Sequence, residues 1–260
     1  MKRHTTNVIS TFKITKKFLY SHKYRVSMER KKYVIVTAGG TGTRMGSQLP
    51  KQFLELEGIP ILRRTLECFL RAIPDIHVIT VLPEAHISYW RQYCIRENFT
   101  CPQRLVRGGF TRFHSVRNAL QYVPDGVLVA VHDGVRPLIT PEKVQELFRA
   151  AEEAPAVIPV LPVTDTLKVL EKKGGVLVST GTQIDRSRIY GAQTPQVFQS
   201  EGLKAAYSRQ YDPLFTDDAS VAESYGIPLT FLEGERFNLK ITTPEDLLFA
   251  KAILHQSLPV

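Results

Sequence analysis

Apolar and polar residues follow two different rhythms along this chain. Continuous apolar runs rich in Val and Ile are typical of buried strands. Such runs lie at residues 33–38, 77–82, 128–132 and 156–161. Between these runs, helices are predicted from apolar residues at helical spacing or from longer stretches that mix apolar and polar residues. These helices are predicted over residues 61–71, 84–98 and 141–153. The repeated strand–helix alternation predicts an α/β domain with a mostly parallel sheet.

Weaker signals extend the alternation toward the end of the chain. Short strands are predicted at residues 103–107 and 229–232, with helices at 116–122 and 200–210. Hydroxyl residues of the kind that cap helix N-termini precede three helices, at Thr140, Thr216 and Thr243. The last of these opens a Thr-Pro-Glu-Asp capping box for a final helix that ends near His255. The single tryptophan, Trp90, is predicted to pack in the core.

Residues 163–185 interrupt this alternation. Two alternating runs flank Gly174 and Gly175, and this pattern predicts a β-hairpin with a tight turn. An isolated hairpin is marginally stable in water, so it usually needs a packing partner. We therefore predict that an arm over about residues 163–187 projects from the domain and is covered by another surface.

Composition narrows the possible classes of protein. No apolar run approaches the length of a membrane-spanning helix, so no membrane association is predicted. The three cysteines are odd in number and form no Cys-x-x-Cys motif, which argues against a disulfide framework and a zinc site. Because no disulfide framework is indicated, we expect the protein to lie in the reducing cytoplasm.

The strong positive charge is confined to one segment. The whole chain has a formal net charge of +9, and residues 1–32 contain ten Lys or Arg and one Glu. That segment therefore carries the entire net charge, and residues 33–260 form a neutral domain. A nucleic-acid-binding protein that uses its basic tail is a remote alternative, but the neutral domain argues against nucleic acid as a partner.

A glycine-rich stretch directly after the first strand holds the strongest chemical signal. The residues that carry this signal are three of its glycines and its two cations: Gly39, Gly40, Gly42, Arg44 and Lys51. Glycines allow a ligand close to the backbone, and a turn that leaves a strand presents N–H groups to anions. Backbone N–H donors together with two flexible cationic side chains are suited to binding a polyphosphate. A turn that merely connects strand to helix would not need the cations.

Two better-known phosphate loops do not match this stretch. A dinucleotide-binding G-x-G-x-x-G motif begun at Gly40 meets Met45 where the third glycine is required. A Walker loop requires Gly-Lys, and this dipeptide does not occur in the chain. The stretch therefore indicates a different class of nucleotide-binding enzyme.

Two later strands also end in residues suited to ligand binding. Gly109, Arg112 and Ser115 follow the strand at 103–107, and Asp133 and Arg136 follow the one that begins at residue 128. Ligands bind at the carboxyl ends of strands in open α/β sheets.

Each of these groups also has a purely structural interpretation. Ser115 could serve only as a helix N-cap, and Asp133 and Arg136 only as an ion pair in a turn. A hydrolytic pair of His132 and Asp133 is rejected, because no Gly-x-Ser-x-Gly motif supplies a nucleophile. The adjacent acids after Thr216 fit a helix N-terminus better than a metal site.

Six ordered motifs over about residues 33–255 resemble the 2-C-methyl-D-erythritol 4-phosphate cytidylyltransferase family. The main ones are Gly-Gly-Thr-Gly-Thr-Arg-Met-Gly at 39–46, Pro-Lys-Gln-Phe at 50–53, Thr-Pro-Gln-Val-Phe at 194–198 and Asn-Leu-Lys-Ile-Thr at 238–242. The resemblance implies a Rossmann-like, mostly parallel sheet with an inserted hairpin arm. Ribitol-5-phosphate cytidylyltransferase shares nearly the same first loop, so ribitol 5-phosphate stays open as the acceptor.

The resemblance implies that a sugar-alcohol phosphate attacks the α-phosphorus of CTP and that pyrophosphate leaves. The residues implied to bind the nucleotide are Ala38, Gly39, Gly40, Gly42, Gly109, Ser115 and Asp133. Among them, Gly109 and Ser115, with the backbone near Ala38 and Gly39, are implied to form the cytosine site. Position 110 is Phe where some relatives carry an acid, which removes a possible side-chain contact to cytosine. Mg²⁺ is expected as the cofactor, held mainly by the CTP phosphates, and no direct protein ligand to it is assigned.

The resemblance also implies how the acceptor is held. Arg44 and Lys51 take the catalytic role of stabilising charge at phosphorus, while Arg186 and Lys240 orient the acceptor. Further acceptor contacts are implied at Asp133, Arg136, Thr166 and Thr216. In the family the arm is exchanged between two subunits, so a homodimer is expected in which Thr166 and Arg186 reach into the neighbouring site.

Residues 1–32 have three interpretations. They fit an organellar transit segment, a flexible tail, or an extension upstream of a true start at Met28. The third is favoured, because proteins of the family usually begin just before the first strand.

Overall fold

Strands and helices alternate along the chain as the hydrophobic pattern predicts. The computed structural model describes residues 29–40 and 49–256. The strands are β1 (Lys32–Thr37), β2 (Glu55–Leu56), β3 (Ile59–Pro60), β4 (His77–Leu82), β5 (Gln103–Arg107), β6 (Leu128–Asp133), β7 (Ala156–Pro162), β8 (Leu170–Lys173), β9 (Val176–Ser179), β10 (Tyr190–Ala192), β11 (Gln196–Gln199) and β12 (Thr230–Glu233). The helices are α1 (Ile61–Ala72), α2 (Glu84–Arg96), α3 (Arg112–Leu120), α4 (Pro141–Ala151), α5 (Ser200–Tyr207), α6 (Asp218–Ser224) and α7 (Pro244–His255).

One large sheet organises the fold. Its strands lie in the order β10-β7-β11-β6-β1-β4-β5, with β12 also paired to β7. The pairs β1–β6, β1–β4, β4–β5 and β7–β12 are parallel. Every antiparallel pair of this sheet involves β10 or β11. The predicted mostly parallel α/β sheet is therefore confirmed.

The carboxyl ends of the central strands meet at one edge of the sheet. Thr37 at the end of β1 is paired with Asp133 at the end of β6 and with Val81 on β4. Pairing continues beyond the strands, because Ala38 N–H donates to the Val81 carbonyl at 2.9 Å. This register brings the segments that follow β1, β4, β5 and β6 side by side.

Helices cover both faces of the sheet, and β1 shows why. Val34 and Val36 belong to the hydrophobic layer formed with α1, α2 and α4, whereas Ile35 belongs to the layer formed with α3, α5 and α6. All three side chains are fully buried, as expected of a strand covered on both sides. Trp90 is also fully buried in the first layer, which confirms its predicted place in the core.

The predicted hairpin is present as β8 and β9. Its turn residues Gly174 and Gly175 both have positive φ, at 56° and 87°, the backbone of a two-residue turn that favours glycine. Leu170 pairs with Ser179 at the open end of the hairpin. Every residue of both strands is exposed, so nothing in the described part of the chain covers the hairpin.

Several predicted boundaries are wrong by a few residues. Helix α3 begins at Arg112, not at 116, because Thr111 is its N-cap. Helix α6 is capped by Asp217 rather than Thr216, since the Asp217 carboxylate accepts from the Ser220 N–H. Residues Lys51–Phe53 form one 3₁₀ turn, an element that the hydrophobic pattern did not predict.

Predictions at the N-terminus fall on residues that the structure does not cover. The proposed start at Met28 and most of the basic segment lie outside the described residues. Within residues 29–40 and 49–256, no helix combines the length and the apolar character needed to cross a membrane.

Candidate active site

A cavity of about 260 Å³ opens where β1 and β6 end. The predicted site residues that line it are Ala38, Gly39, Gly40, Lys51, Gly109, Ser115, Asp133 and Lys240. They come from four separate stretches of the chain, and the sheet register brings them together. Gly42 and Arg44 lie outside the described residues, so their roles stay predictions.

The segment around Lys51 places the lysine side chain beside the backbone of Gly40. A Cβ built on Gly40 would lie 3.6 Å from Lys51 Cε, so the lysine side chain passes close to this glycine. Gln52 is buried and its Nε2 donates to the Ala38 carbonyl at 2.7 Å. This bond fixes the chain after β1 against the 3₁₀ turn that carries Lys51.

The opposite wall is a rigid turn at the start of α3. Gly109 N–H donates to Ser115 Oγ at 3.0 Å, and Ser115 Oγ donates to the Thr111 carbonyl at 3.0 Å. A Cβ on Gly109 would lie 2.4 Å from His114 Cβ, so only glycine fits there. The alternative that Ser115 caps α3 is wrong, because Thr111 is the cap.

Asp133 is the electrostatic centre of the site. Its Oδ2 lies 3.0 Å from Lys240 Nζ and 3.1 Å from Arg136 Nε, and its Oδ1 lies 3.7 Å from Arg112 Nε. Burial alone would raise the pKa of Asp133, but the three cations outweigh burial and hold the pKa well below its usual range. Asp133 is therefore ionised throughout the physiological range.

Arg112 links Asp133 to a second, fully buried carboxylate. Arg112 Nη2 donates to Asp218 Oδ2 at 2.6 Å, and Tyr207 OH donates to Asp218 Oδ1 at 2.6 Å. Burial opposes the charge of Arg112, but Asp218 and Asp133 outweigh it and raise its pKa. Burial and then Asp218 raise the pKa of Tyr207. Helices α3, α5 and α6 are thus tied together directly behind the cavity.

His132, next to Asp133 in sequence, lies inside the core. Burial lowers the pKa of His132 to about 4, so its ring is neutral at pH 7. Its Nε2 lies 3.2 Å from the Arg136 carbonyl, and its Nδ1 lies 3.1 Å from Thr194 Oγ1. A carbonyl only accepts, so Nε2 carries the proton and Nδ1 accepts from Thr194. His132 therefore supports the end of β6 and does not face the cavity.

The segment that carries Lys240 is anchored to the same region. Asn238 is fully buried, and its Nδ2 donates to the Thr194 carbonyl at 2.9 Å. Arg136 Nη1 donates to the Asn238 carbonyl at 2.8 Å. Ile241 N–H donates to the Val135 carbonyl at 2.9 Å. These bonds place Lys240 opposite Asp133, with its side chain still partly exposed.

The geometry and the sequence agree with one family. A family model described as IspD: 2-C-methyl-D-erythritol 4-phosphate cytidylyltransferase matches residues 32–256. This chain belongs to the 2-C-methyl-D-erythritol 4-phosphate cytidylyltransferase family. It is therefore a nucleotidyltransferase, and the resemblance noted in its motifs is confirmed. The family match also favours the methylerythritol acceptor over ribitol 5-phosphate.

Individual relatives give the same result. The 2-C-methyl-D-erythritol 4-phosphate cytidylyltransferase of Porphyromonas gingivalis is 47% identical over 228 residues, which cover 87% of this chain and 99% of the relative. That of Geobacillus kaustophilus is 41% identical over 222 residues, covering 85% and 95%. The crystal structure of the Thermus thermophilus protein superposes with a TM-score of 0.68 at 30% identity, covering 88% of this chain and 100% of that one.

Not every site residue predicted for this cytidylyltransferase lies at the cavity. Among the described residues, the lining does not include Arg136, Thr166, Arg186 or Thr216. Arg136 instead pairs with Asp133 and donates to the Asn238 carbonyl. Arg186 belongs to a 3₁₀ turn at the base of the arm, where its Nη1 donates to the Thr164 carbonyl at 2.7 Å. Their assigned contacts with the acceptor stay predictions.

Asp218 and Tyr207 of the cytidylyltransferase could not be predicted as parts of the site. Asp218 is 106 residues from Arg112 in the chain, and no local pattern signals that contact. The only signal is a pair of adjacent acids at a helix start, which fits the helix dipole equally well. The arrangement presents backbone donors, Lys51 and Lys240 around one cavity, and it is suited to binding and positioning anions.

Proposed function

We propose that this enzyme transfers CMP from CTP to 2-C-methyl-D-erythritol 4-phosphate in the cavity between β1 and β6. The products are 4-diphosphocytidyl-2-C-methyl-D-erythritol and pyrophosphate. One observation carries the proposal: Lys51, Lys240 and the ionised Asp133 line one cavity with the bare backbone of Gly39 and Gly40. Family membership then supplies the identity of the nucleotide and the acceptor.

The chemistry needs no covalent enzyme intermediate. An oxygen of the acceptor phosphate attacks the α-phosphorus, a new P–O bond forms, and the bond to the β-phosphate breaks with its electron pair on pyrophosphate. Both reactants are anions, so the enzyme must bring like charges together. Positioning and charge neutralisation are the main contributions of the protein to such reactions. Lys51, together with Arg44, is assigned to the charge that develops at phosphorus.

Lys240 is assigned to the acceptor phosphate. An ammonium group has three N–H donors, and one of them faces Asp133 at 3.0 Å. The other two can donate to phosphate oxygens without breaking that ion pair. Asp133 therefore holds Lys240 in place and also offers its carboxylate to the ribose or to a metal-bound phosphate.

Mg²⁺ fits this site as an ion carried by the substrate. Within residues 29–40 and 49–256, no group of three or more His, Cys, Asp or Glu could hold a metal ion. Among the described residues that line the cavity, Asp133 is the one that supplies an ionised carboxylate. Magnesium is commonly bound by one or two carboxylates plus substrate phosphates. When bound, it would neutralise triphosphate charge.

The arm is assigned to a homodimer. Its strands expose several apolar side chains, namely Leu170, Val176, Leu177 and Val178. An exposed hairpin edge with apolar residues is the kind of surface that a second copy covers. In that arrangement Thr166 and Arg186 of one subunit would complete the acceptor site of the other.

A direct test compares acceptors. Purified protein is incubated with CTP, Mg²⁺ and either 2-C-methyl-D-erythritol 4-phosphate or ribitol 5-phosphate, and pyrophosphate is measured. We expect rapid release only with the methylerythritol compound. Faster release with ribitol 5-phosphate would replace the proposed acceptor, and equal turnover with ATP in place of CTP would remove the cytosine site.

A further inference from the structure

Four residues lie at the junction of two cavities. Gly39, Gly109, Phe110 and Ser115 line the 260 Å³ cavity and also an adjoining groove of about 610 Å³. Three of the four are the proposed contacts of the cytosine ring, so under the proposed function the base lies at this junction. The fourth, Phe110, has the only large side chain among them.

Phe110 is exposed to an unusual degree for an apolar residue. Its side chain is fully accessible to solvent, more so than any other large apolar side chain among the described residues. The nearest aromatic ring recorded for it is that of His114, edge-on at a centroid distance of 6.5 Å. Little in the part of the chain that the structure describes therefore restrains the ring.

The backbone that carries this exposed ring is fixed. Gly108 N–H donates to the Leu82 carbonyl at 2.8 Å, and Gly109 N–H donates to Ser115 Oγ at 3.0 Å. Thr111, the next residue, caps α3. The Phe110 side chain can thus rotate about its own χ angles while its Cα stays beside the junction.

The chemistry of phenylalanine suits the face of a nucleobase. A phenyl ring cannot accept a hydrogen bond from the exocyclic amine of cytosine, as a carboxylate at this position could. It can instead stack on the base, and stacking of a base on an aromatic side chain is a substantial and sequence-tolerant contribution to binding. Covering the base would also exclude water from its hydrogen bonds with Gly109 and Ser115, which strengthens them.

We propose that the Phe110 ring turns over the junction when CTP binds and packs against the face of its cytosine. Phe110 is then a substrate-binding residue that takes over, by stacking, a part of the recognition that an acidic side chain would provide by hydrogen bonding. The inference rests on the proposed function, because it takes the position of the base from the assigned contacts of Gly109 and Ser115.

The test compares Phe110→Ala and Phe110→Tyr with the wild-type enzyme. We expect Phe110→Ala to raise the KM for CTP roughly tenfold, within the range of base–aromatic stacking, with little change in the KM for the acceptor. Phe110→Tyr, which keeps the ring, should stay within about threefold of wild type. Phe249→Ala removes another exposed phenyl ring, on α7, and should behave as wild type.

A competitor that lacks a base distinguishes loss of stacking on cytosine from a general disturbance of the binding site. Inorganic tripolyphosphate should inhibit Phe110→Ala and wild type equally, because it lacks a face for the ring. Unchanged KM for CTP in Phe110→Ala, or equal weakening of CTP and tripolyphosphate, would overturn the assignment of Phe110 and leave the proposed function intact. Failure of the wild-type enzyme to use CTP would overturn both.

Discussion

Asp133 shows how one residue can serve several partners. It is buried to 6% exposure and has Arg112, Arg136 and Lys240 around it. The sequence predicted that Asp133 and Arg136 lie together at a strand end, because ligands and polar side chains gather there in α/β sheets. The hydrophobic pattern gave no sign that Lys240, 107 residues away, pairs with Asp133; only the family resemblance placed both residues at the acceptor.

At Lys51, we predict a loss of turnover without a loss of stability. Lys51→Ala removes a cation assigned to the charge that develops at phosphorus. By analogy with lost oxyanion donors, kcat should fall about 10²- to 10³-fold, while the melting temperature stays near wild type. Steady-state kinetics and thermal unfolding measure the two effects. Arg91→Ala, which removes an exposed cation on α2, is the control, and near-native turnover of Lys51→Ala would refute the assigned role.

At His132, we predict a pH-dependent stability. Burial lowers its pKa to about 4, compared with about 6.5 in an unfolded chain. Below pH 6.5 the unfolded chain binds a proton here that the folded protein does not, so the free energy of unfolding falls as the pH falls. This residue should account for about 2–3 kcal/mol between pH 7 and pH 4.5.

Urea unfolding at the two pH values tests this prediction. His132→Asn has no titrating group at this position, so its free energy of unfolding should fall less between pH 7 and pH 4.5 than that of wild type. An equal fall in both proteins would show that His132 is not protonated differently in the folded and unfolded states.

Local sequence patterns determine some strands and helices, and long-range contacts determine where other helices begin. Strands β1, β4 and β6 and helices α1 and α4 were predictable, because each has a strong period and, for α4, a Thr–Pro start. The beginnings of α3 and α6 were not, since both depend on which of several polar residues becomes the cap. Tertiary contacts decide this: Asp218 in the first turn of α6 pairs with Arg112 of α3.

The buried Asp218 should make these elements interdependent. Tyr207→Phe removes one hydrogen bond to the carboxylate that pairs with Arg112 and leaves that ion pair in place. Such bonds contribute about 1.5–3 kcal/mol, so the free energy of unfolding should fall by that amount in urea titrations. Tyr225→Phe, at an exposed position after α6, should be neutral. A Tyr207→Phe protein as stable as wild type would mean that the hydroxyl is dispensable.

In the whole molecule, the arm stands out because every residue of its two strands is exposed among the described residues. The sequence predicted the hairpin and its Gly-Gly turn, and the structure contains both. Neither Thr166 nor Arg186 reaches the cavity of its own chain. The proposed homodimer explains this separation, because it places the two residues in the site of the other subunit.

Subunit mixing tests that arrangement. Arg186→Ala and Lys240→Ala should each be nearly inactive, but a mixed dimer would have one site with both defects and one with neither. Random mixing of equal amounts should therefore restore about a quarter of wild-type activity. Lys51→Ala mixed with Lys240→Ala should give no rescue, because those residues belong to the same subunit. No rescue in a verified Arg186→Ala/Lys240→Ala heterodimer would exclude the shared site.

We propose above that the CMP part of CTP is transferred to the methylerythritol phosphate in this cavity. The most direct measurement follows the phosphorus atoms, using CTP labelled at the α- or the γ-phosphate together with Mg²⁺ and 2-C-methyl-D-erythritol 4-phosphate. We expect the α-label to appear in the organic product and the γ-label in pyrophosphate, and we expect Lys240→Ala to abolish most of both. Label from the γ-phosphate in the organic product, or full activity without Lys240, would contradict this proposal.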